Sequence, residues 1–81
     1  AAALPAAMHA AIAAIRAGTP VAEACAALTA ALLAGGFAAI DYAEVRDADS
    51  LAPVAALTDA PARLFVAARI GGTRLIDNMA V

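Results

Sequence analysis

Arg63-Leu64-Phe65-Val66-Ala67-Ala68-Arg69-Ile70-Gly71-Gly72-Thr73-Arg74-Leu75-Ile76-Asp77-Asn78-Met79-Ala80-Val81 is the stretch that decides the fold. Two runs rich in strand-forming residues flank a Gly-Gly pair. Both glycines accept positive φ, which the tight turns joining antiparallel strands require. The spacing predicts strands over about 62–70 and 73–80, closed as a hairpin. Apolar residues occupy both sets of alternate positions in the first run, which predicts a strand central in its sheet.

Working upstream, Leu51 to Pro61 contains two prolines and no period, and reads as a loop or a short irregular turn. Asp47-Ala48-Asp49-Ser50 has turn chemistry. Ile40-Asp41-Tyr42-Ala43-Glu44-Val45-Arg46 alternates imperfectly and predicts a further strand over about 39–46.

The first part of the chain has a helical period instead. Leu4, Met8, Ile12 and Ile15 recur at spacings of four, four and three, which places them on one face of a helix over about 2–17. Pro5 fits only a first turn. Arg16 complements the dipole at the far end, and Gly18 is a stop. Thr19 is the expected N-cap of a second helix over about 20–34, with Pro20 at its first position. Glu23 lies in its first turn, and Val21, Cys25, Leu28 and Leu32 form its apolar stripe. Gly35-Gly36 ends it. The short link makes the two helices an antiparallel hairpin. The fold class is therefore α+β: a helix pair packed on a three-stranded antiparallel sheet that ends in a β-hairpin.

Composition narrows the function. The 81 residues hold five arginines, no lysine, seven acidic residues and one histidine, for a formal net charge of −2. No basic patch for a nucleic-acid backbone emerges from that balance. Much of the apolar content is Ala, which favours helix but buries little area. A core in a chain this short rarely contributes more than about 3–5 kcal/mol, so a partner domain or a second copy is expected to support it. Cys25 is the lone cysteine, which removes an internal disulfide and reads as a buried small residue. The uncharged stretches 1–15 and 24–40 fall short of a membrane span, and no basic segment precedes them as in a signal peptide. The chain reads as soluble and cytoplasmic.

The chemistry of a complete active site is missing. Without lysine there is no Schiff base and no P-loop. One His and one Cys make no zinc site. His9 sits one residue from the apolar stripe and reads as exposed or at a boundary. Ser50 and Thr73 lie in turns with no His near them in sequence. The charges gather in two places: Asp41, Glu44, Arg46, Asp47 and Asp49, and then Arg69, Arg74 and Asp77. Ion pairing across strands explains both signs occurring together. The expected pairing is Asp47 or Asp77 with Arg69 or Arg74, with Arg74, Asp77 and Asn78 anchoring Arg46 and Asp47.

Two strings carry a resemblance. Ile40-Asp41-Tyr42-Ala43-Glu44-Val45-Arg46-Asp47-Ala48-Asp49-Ser50-Leu51 resembles the "DYxEvRDadtL" segment of the pantothenate synthetase (pantoate–β-alanine ligase) family. Arg63 to Asn78 resembles that family's "RLlvAAriGxTRLIDN" hairpin, which closes its C-terminal domain. The order and separation of the strings match, and the helices fit by position. The resemblance implies an enzyme that uses ATP and Mg²⁺ to adenylate pantoate, after which the amine of β-alanine displaces AMP. It implies a nucleotidyltransferase-type N-terminal domain with an HIGH-type motif and most substrate contacts. An S-S-R-N motif would open the C-terminal domain, which acts as a hinged lid.

This sequence has neither motif and is expected to begin downstream of S-S-R-N. No catalytic, cofactor-binding or metal residue is therefore assigned to any position. Residues 1–81 are expected to form one C-terminal lid-type domain, inactive alone and binding neither ATP nor Mg²⁺. Its partner would be the N-terminal domain, with a homo-oligomer possible for the fragment and no role for nucleic acid or membrane. The alternative is a stand-alone interaction or dimerisation module.

Overall fold

A computed structural model describes residues 3–81. Helix α1 spans Ala3–Arg16 and α2 spans Val21–Ala34; strands β1, β2 and β3 span Ala39–Asp47, Ala62–Ile70 and Thr73–Ala80. Ala2, which the sequence reading places in the first helix, lies outside the described residues. The sheet is antiparallel in the order β1-β2-β3, so the hairpin strand β2 is central, as its two-sided apolar pattern requires.

The helical stripes form the upper half of the core. Leu4, Met8, Ile12 and Ile15 are all buried, joined by Ala11. On α2 the buried set is Val21, Ala24, Leu28 and Leu32. Cys25 is a correction to the expected stripe: it lies only half-buried at the margin, and Ala24 takes the inner position. Burial, and then the nearby Glu44 charge, push the Cys25 thiol above its ordinary pKa, which disfavours the reactive thiolate.

The start of α2 is a second correction. Pro20, not Thr19, is the N-cap, and no side chain caps the helix. The Pro20 carbonyl accepts the first helical bond, from the Ala24 N–H at 3.0 Å, while its own backbone is extended (φ −55°, ψ 139°). Thr19 instead belongs to the end of α1, donating its N–H to Ala14 O at 3.0 Å.

Helix α2 stops at Gly36, whose φ of +106° reverses the chain. Phe37 then donates to Leu32 O at 3.0 Å, and Gly36 to Leu33 O at 3.3 Å. These are the two bonds of a Schellman stop, and they drop Phe37 into the core. At the hairpin, Gly71 and Gly72 have φ of +56° and +80°. Positive φ at both central residues defines a turn whose twist matches the strands it joins.

The inner face of the sheet completes the core. Val45 pairs with Leu64 and Leu64 with Met79, while Ala43, Val66 and Ala68 lie in adjoining rows. Leu64, Val66 and Ala68 are wholly buried and cluster with the helix stripes. The segment after β1 covers part of that strand's free edge, with Val54 N–H on Val45 O at 3.0 Å and an isolated bridge between Arg46 and Pro53. No described helix is long and apolar enough to cross a membrane.

Candidate functional site

The helices cover one side of the sheet, which leaves the other side to carry chemistry. Directly paired residues point the same way, so the register gives the outer face. Its rows are Tyr42–Ala67–Ile76, Glu44–Phe65–Asn78, Arg46–Arg63–Ala80, and Arg69 beside Arg74. The rows combine aromatic and apolar residues with most of the chain's cations. Ala67 is fully buried yet stands outside the helix-side core cluster. Its two cross-strand neighbours, Tyr42 and Ile76, flank it on this face.

A β-bulge builds the first polar cluster. The β1–β2 register shifts between Ile40 and Tyr42, which places an extra residue opposite β2 and re-aims a side chain. Asp41 thereby reaches the outer face. Arg74 Nε donates to Asp41 Oδ2 at 2.8 Å, and Arg69 Nε donates to both carboxylate oxygens at 3.3 Å. The Arg74 hydrogen bond, supported by Arg69, holds the Asp41 carboxyl below its ordinary pKa. One carboxylate thus ties all three strands together at the hairpin end.

The opposite end is built by the turn after β1. Asp47 Oδ1 accepts the N–H groups of Asp49 and Ser50, each at 2.9 Å. Those backbone bonds, Ser50 first, hold its carboxyl below the ordinary value. Leu51 N–H returns to Asp47 O at 2.9 Å, and Leu51 is forced to a φ of +62°. A leucine is rarely found there. Arg46 clamps this conformation: Nη1 donates to Leu51 O at 2.8 Å, while Nε and Nη2 both donate to Glu44 Oε2. Tyr42, Phe65 and Leu51 then wall a shallow concavity of about 410 Å³ with the Glu44–Arg46 pair. Between the two ends, Arg63 Nε donates to Asn78 Oδ1 at 2.9 Å.

These contacts correct the expected pairings. Asp41, not Asp47 or Asp77, is the carboxylate that meets Arg69 and Arg74. Asp47 lies at the end of β1, where its own turn takes its oxygens. Asp77 pairs with Val66 on the inner side of β3, and accepts the Asn78 N–H at 2.8 Å. Asn78 anchors Arg63 of the neighbouring β2 rather than Arg46, because β3 does not adjoin β1.

The remaining candidates do not assemble. His9 is exposed on α1 and Cys25 lies on α2. Ser50 Oγ accepts the Ala52 N–H at 3.2 Å. Among the described residues no three His, Cys, Asp or Glu side chains come together to hold a metal. Two guanidiniums hold the Asp41 carboxylate and two backbone amides hold Asp47 Oδ1, and among the described residues no group of three such ligands forms at either, so the set does not fit Mg²⁺. What the arrangement can do is present a rigid, Arg-rich surface with an aromatic hollow.

Such a domain is an α+β module, with a helix pair on one side of a three-stranded antiparallel sheet and charged and aromatic side chains on the other. Comparison with known proteins identifies its family. Residues 1–80 match the family model described as pantoate-beta-alanine ligase, and the chain belongs to that family. It is 58% identical over 78 residues to the pantothenate synthetase of Novosphingobium aromaticivorans, covering 96% of this chain and 27% of that protein. The Sphingopyxis alaskensis pantothenate synthetase is 53% identical over 81 residues, covering 100% of this chain and 29% of the relative. A crystal structure of pantothenate synthetase from Thermus thermophilus superposes with a TM-score of 0.78 at 34% identity, over 95% of this chain and 28% of that one. The chain therefore spans under a third of the length of the curated relatives it matches.

Proposed function

We propose that this chain is the C-terminal lid domain of an ATP-dependent ligase that joins pantoate to β-alanine through a pantoyl-adenylate, and that it is inactive alone. One observation carries the reading: nearly the whole chain aligns with a pantothenate synthetase while covering only 27% of it. The distribution of polar groups supports it. Among the described residues its prominent carboxylates and guanidiniums are engaged with one another, with the Asn78 side chain or with backbone.

In the parent enzyme a nucleotidyltransferase-type N-terminal domain would hold ATP and Mg²⁺. This domain contributes a stiff cover: its hairpin and bulge are cross-tied by Asp41, and its helices are locked to the sheet by a continuous core. Closing such a cover keeps water from a reactive acyl-adenylate. The location expected for the whole enzyme is the cytoplasm.

The test is replacement. The chain is grafted in place of the matching stretch of the Novosphingobium enzyme and assayed for pantothenate, beside the isolated chain given ATP, Mg²⁺, pantoate and β-alanine. The graft is expected to form pantothenate and the isolated chain to release no AMP. A correctly folded graft with no activity, or AMP from the chain alone, contradicts the proposal. Binding of an unrelated protein by the isolated chain, with an inactive graft, supports a stand-alone interaction module instead.

A further inference from the structure

The outer face concentrates one sign of charge. Arg46, Arg63, Arg69 and Arg74 stand there against Asp41 and Glu44, a surplus of two positive charges. The whole chain carries −2, so the rest of the molecule holds a surplus of four negative charges. The surplus on the face is local: among the described residues the Arg63 side chain bonds the neutral Asn78, and Arg69 and Arg74 share one carboxylate. Ile76 and Leu51, at 61% and 54% exposure, are the most exposed large apolar residues of the described chain. Both lie on or beside this face. The two aromatic residues outside the core, Tyr42 and Phe65, also lie here.

Arginine and aromatic residues around an apolar centre make up the interior of protein–protein contacts. Two copies of this face carry like charge and repel each other, which disfavours a second copy as occupant. The concavity on this face is shallow and open, unlike the enclosed pockets that take small molecules. The partner chemistry it fits is an acidic protein surface bearing an apolar side chain for the Tyr42–Phe65–Leu51 hollow.

The geometry points to the outer face of the sheet as the surface by which this domain docks on the remainder of the ligase polypeptide, through an acidic patch there. This inference rests on the proposed function, and on the fact that some seven-tenths of a relative's length lies outside the chain. The clamp on Leu51 has a purpose in this setting. Backbone held in a rare conformation by surrounding structure is found at such sites, and here it keeps one wall of the hollow raised.

Hydroxyl-radical footprinting read by mass spectrometry tests the docking apart from the activity. Side-chain labelling is compared between the isolated chain and the graft. Labelling of Tyr42, Leu51 and Ile76 is expected to fall several-fold in the graft, while Leu33 on α2 stays labelled. Arg63→Glu is expected to restore labelling, as is Ile76→Asp; thermal melting of each isolated variant checks that it folds. High salt is expected to weaken the protection by wild type. An active graft whose outer face labels as in the isolated chain overturns the docking inference and leaves the functional reading standing. An inactive graft with the face protected does the reverse. Protection that appears only when ATP is added assigns the face to a nucleotide and overturns the proposal.

Discussion

The two faces of the sheet share three strands and differ in almost everything else. The inner face holds Val45, Leu64, Val66 and Ala68, buried under the helices with no buried polar side chain among the described residues. The outer face holds four of the five arginines, two of the three aromatic residues and both ion-pair clusters. The inner face supplies hydrophobic burial, which dominates folding. Exposed ion pairs add little to stability, so the outer face has no comparable role in holding the fold. The difference separates residues that make the domain from residues that the domain displays.

Substitutions can break that division. Leu64→Ala, at 0% exposure, is expected to cost about 2–5 kcal/mol. That is comparable to everything a core this small supplies, so urea denaturation followed by circular dichroism should show the cooperative transition largely lost. Gly72→Val places a β-branched residue at φ +80° and is expected to cost about 1–2 kcal/mol in the same assay. A smaller effect of opposite sign is expected for Leu51→Asn. Asparagine tolerates the positive φ, Leu51 at 54% exposure gives up only part of its apolar contact, and the net gain in stability should be under about 1 kcal/mol.

The ion-pair cluster sharpens the comparison through pH. Asp41 has its pKa lowered in the folded chain, chiefly by Arg74. Its stabilising contribution is present above the unfolded value, about 3.9 for an aspartate, and is lost as pH falls through the lower folded value. Asp41→Asn is therefore expected to lower the melting temperature slightly at neutral pH. The gap from wild type should close as the solution is acidified below the ordinary aspartate range. A gap that is constant with pH would mean the carboxylate's charge has no part in joining the strands.

Much of the fold could be read from the sequence because its signals are local. The four-four-three spacing of Leu4, Met8, Ile12 and Ile15 is a helix face wherever it occurs, and Gly71-Gly72 is a hairpin turn on the strength of backbone freedom alone. The outer-face clusters were not legible for a physical reason. Ile40-Asp41-Tyr42 contains no glycine or proline to mark a bulge, and without the bulge Asp41 would point to the helix side. Leu51 likewise shows nothing in its residue type that announces positive φ; the Asp47 turn and the Arg46 clamp impose it. Strict alternation did hold the clue that Asp77 and Arg74 lie on opposite sides of β3.

The most direct measurement compares two quantities for one substitution, Arg63→Glu: the melting temperature of the isolated domain, and the rate of pantothenate formation by the grafted enzyme. Arg63 stands on the outer face, away from the helix-side core, and donates to Asn78, so the domain should melt within about 0.5 kcal/mol of wild type. A like charge brought against an acidic partner is costly, and the rate should fall by about tenfold or more. Domain stability unchanged and rate unchanged together would show that the outer face is solvent-exposed surface with no docking role.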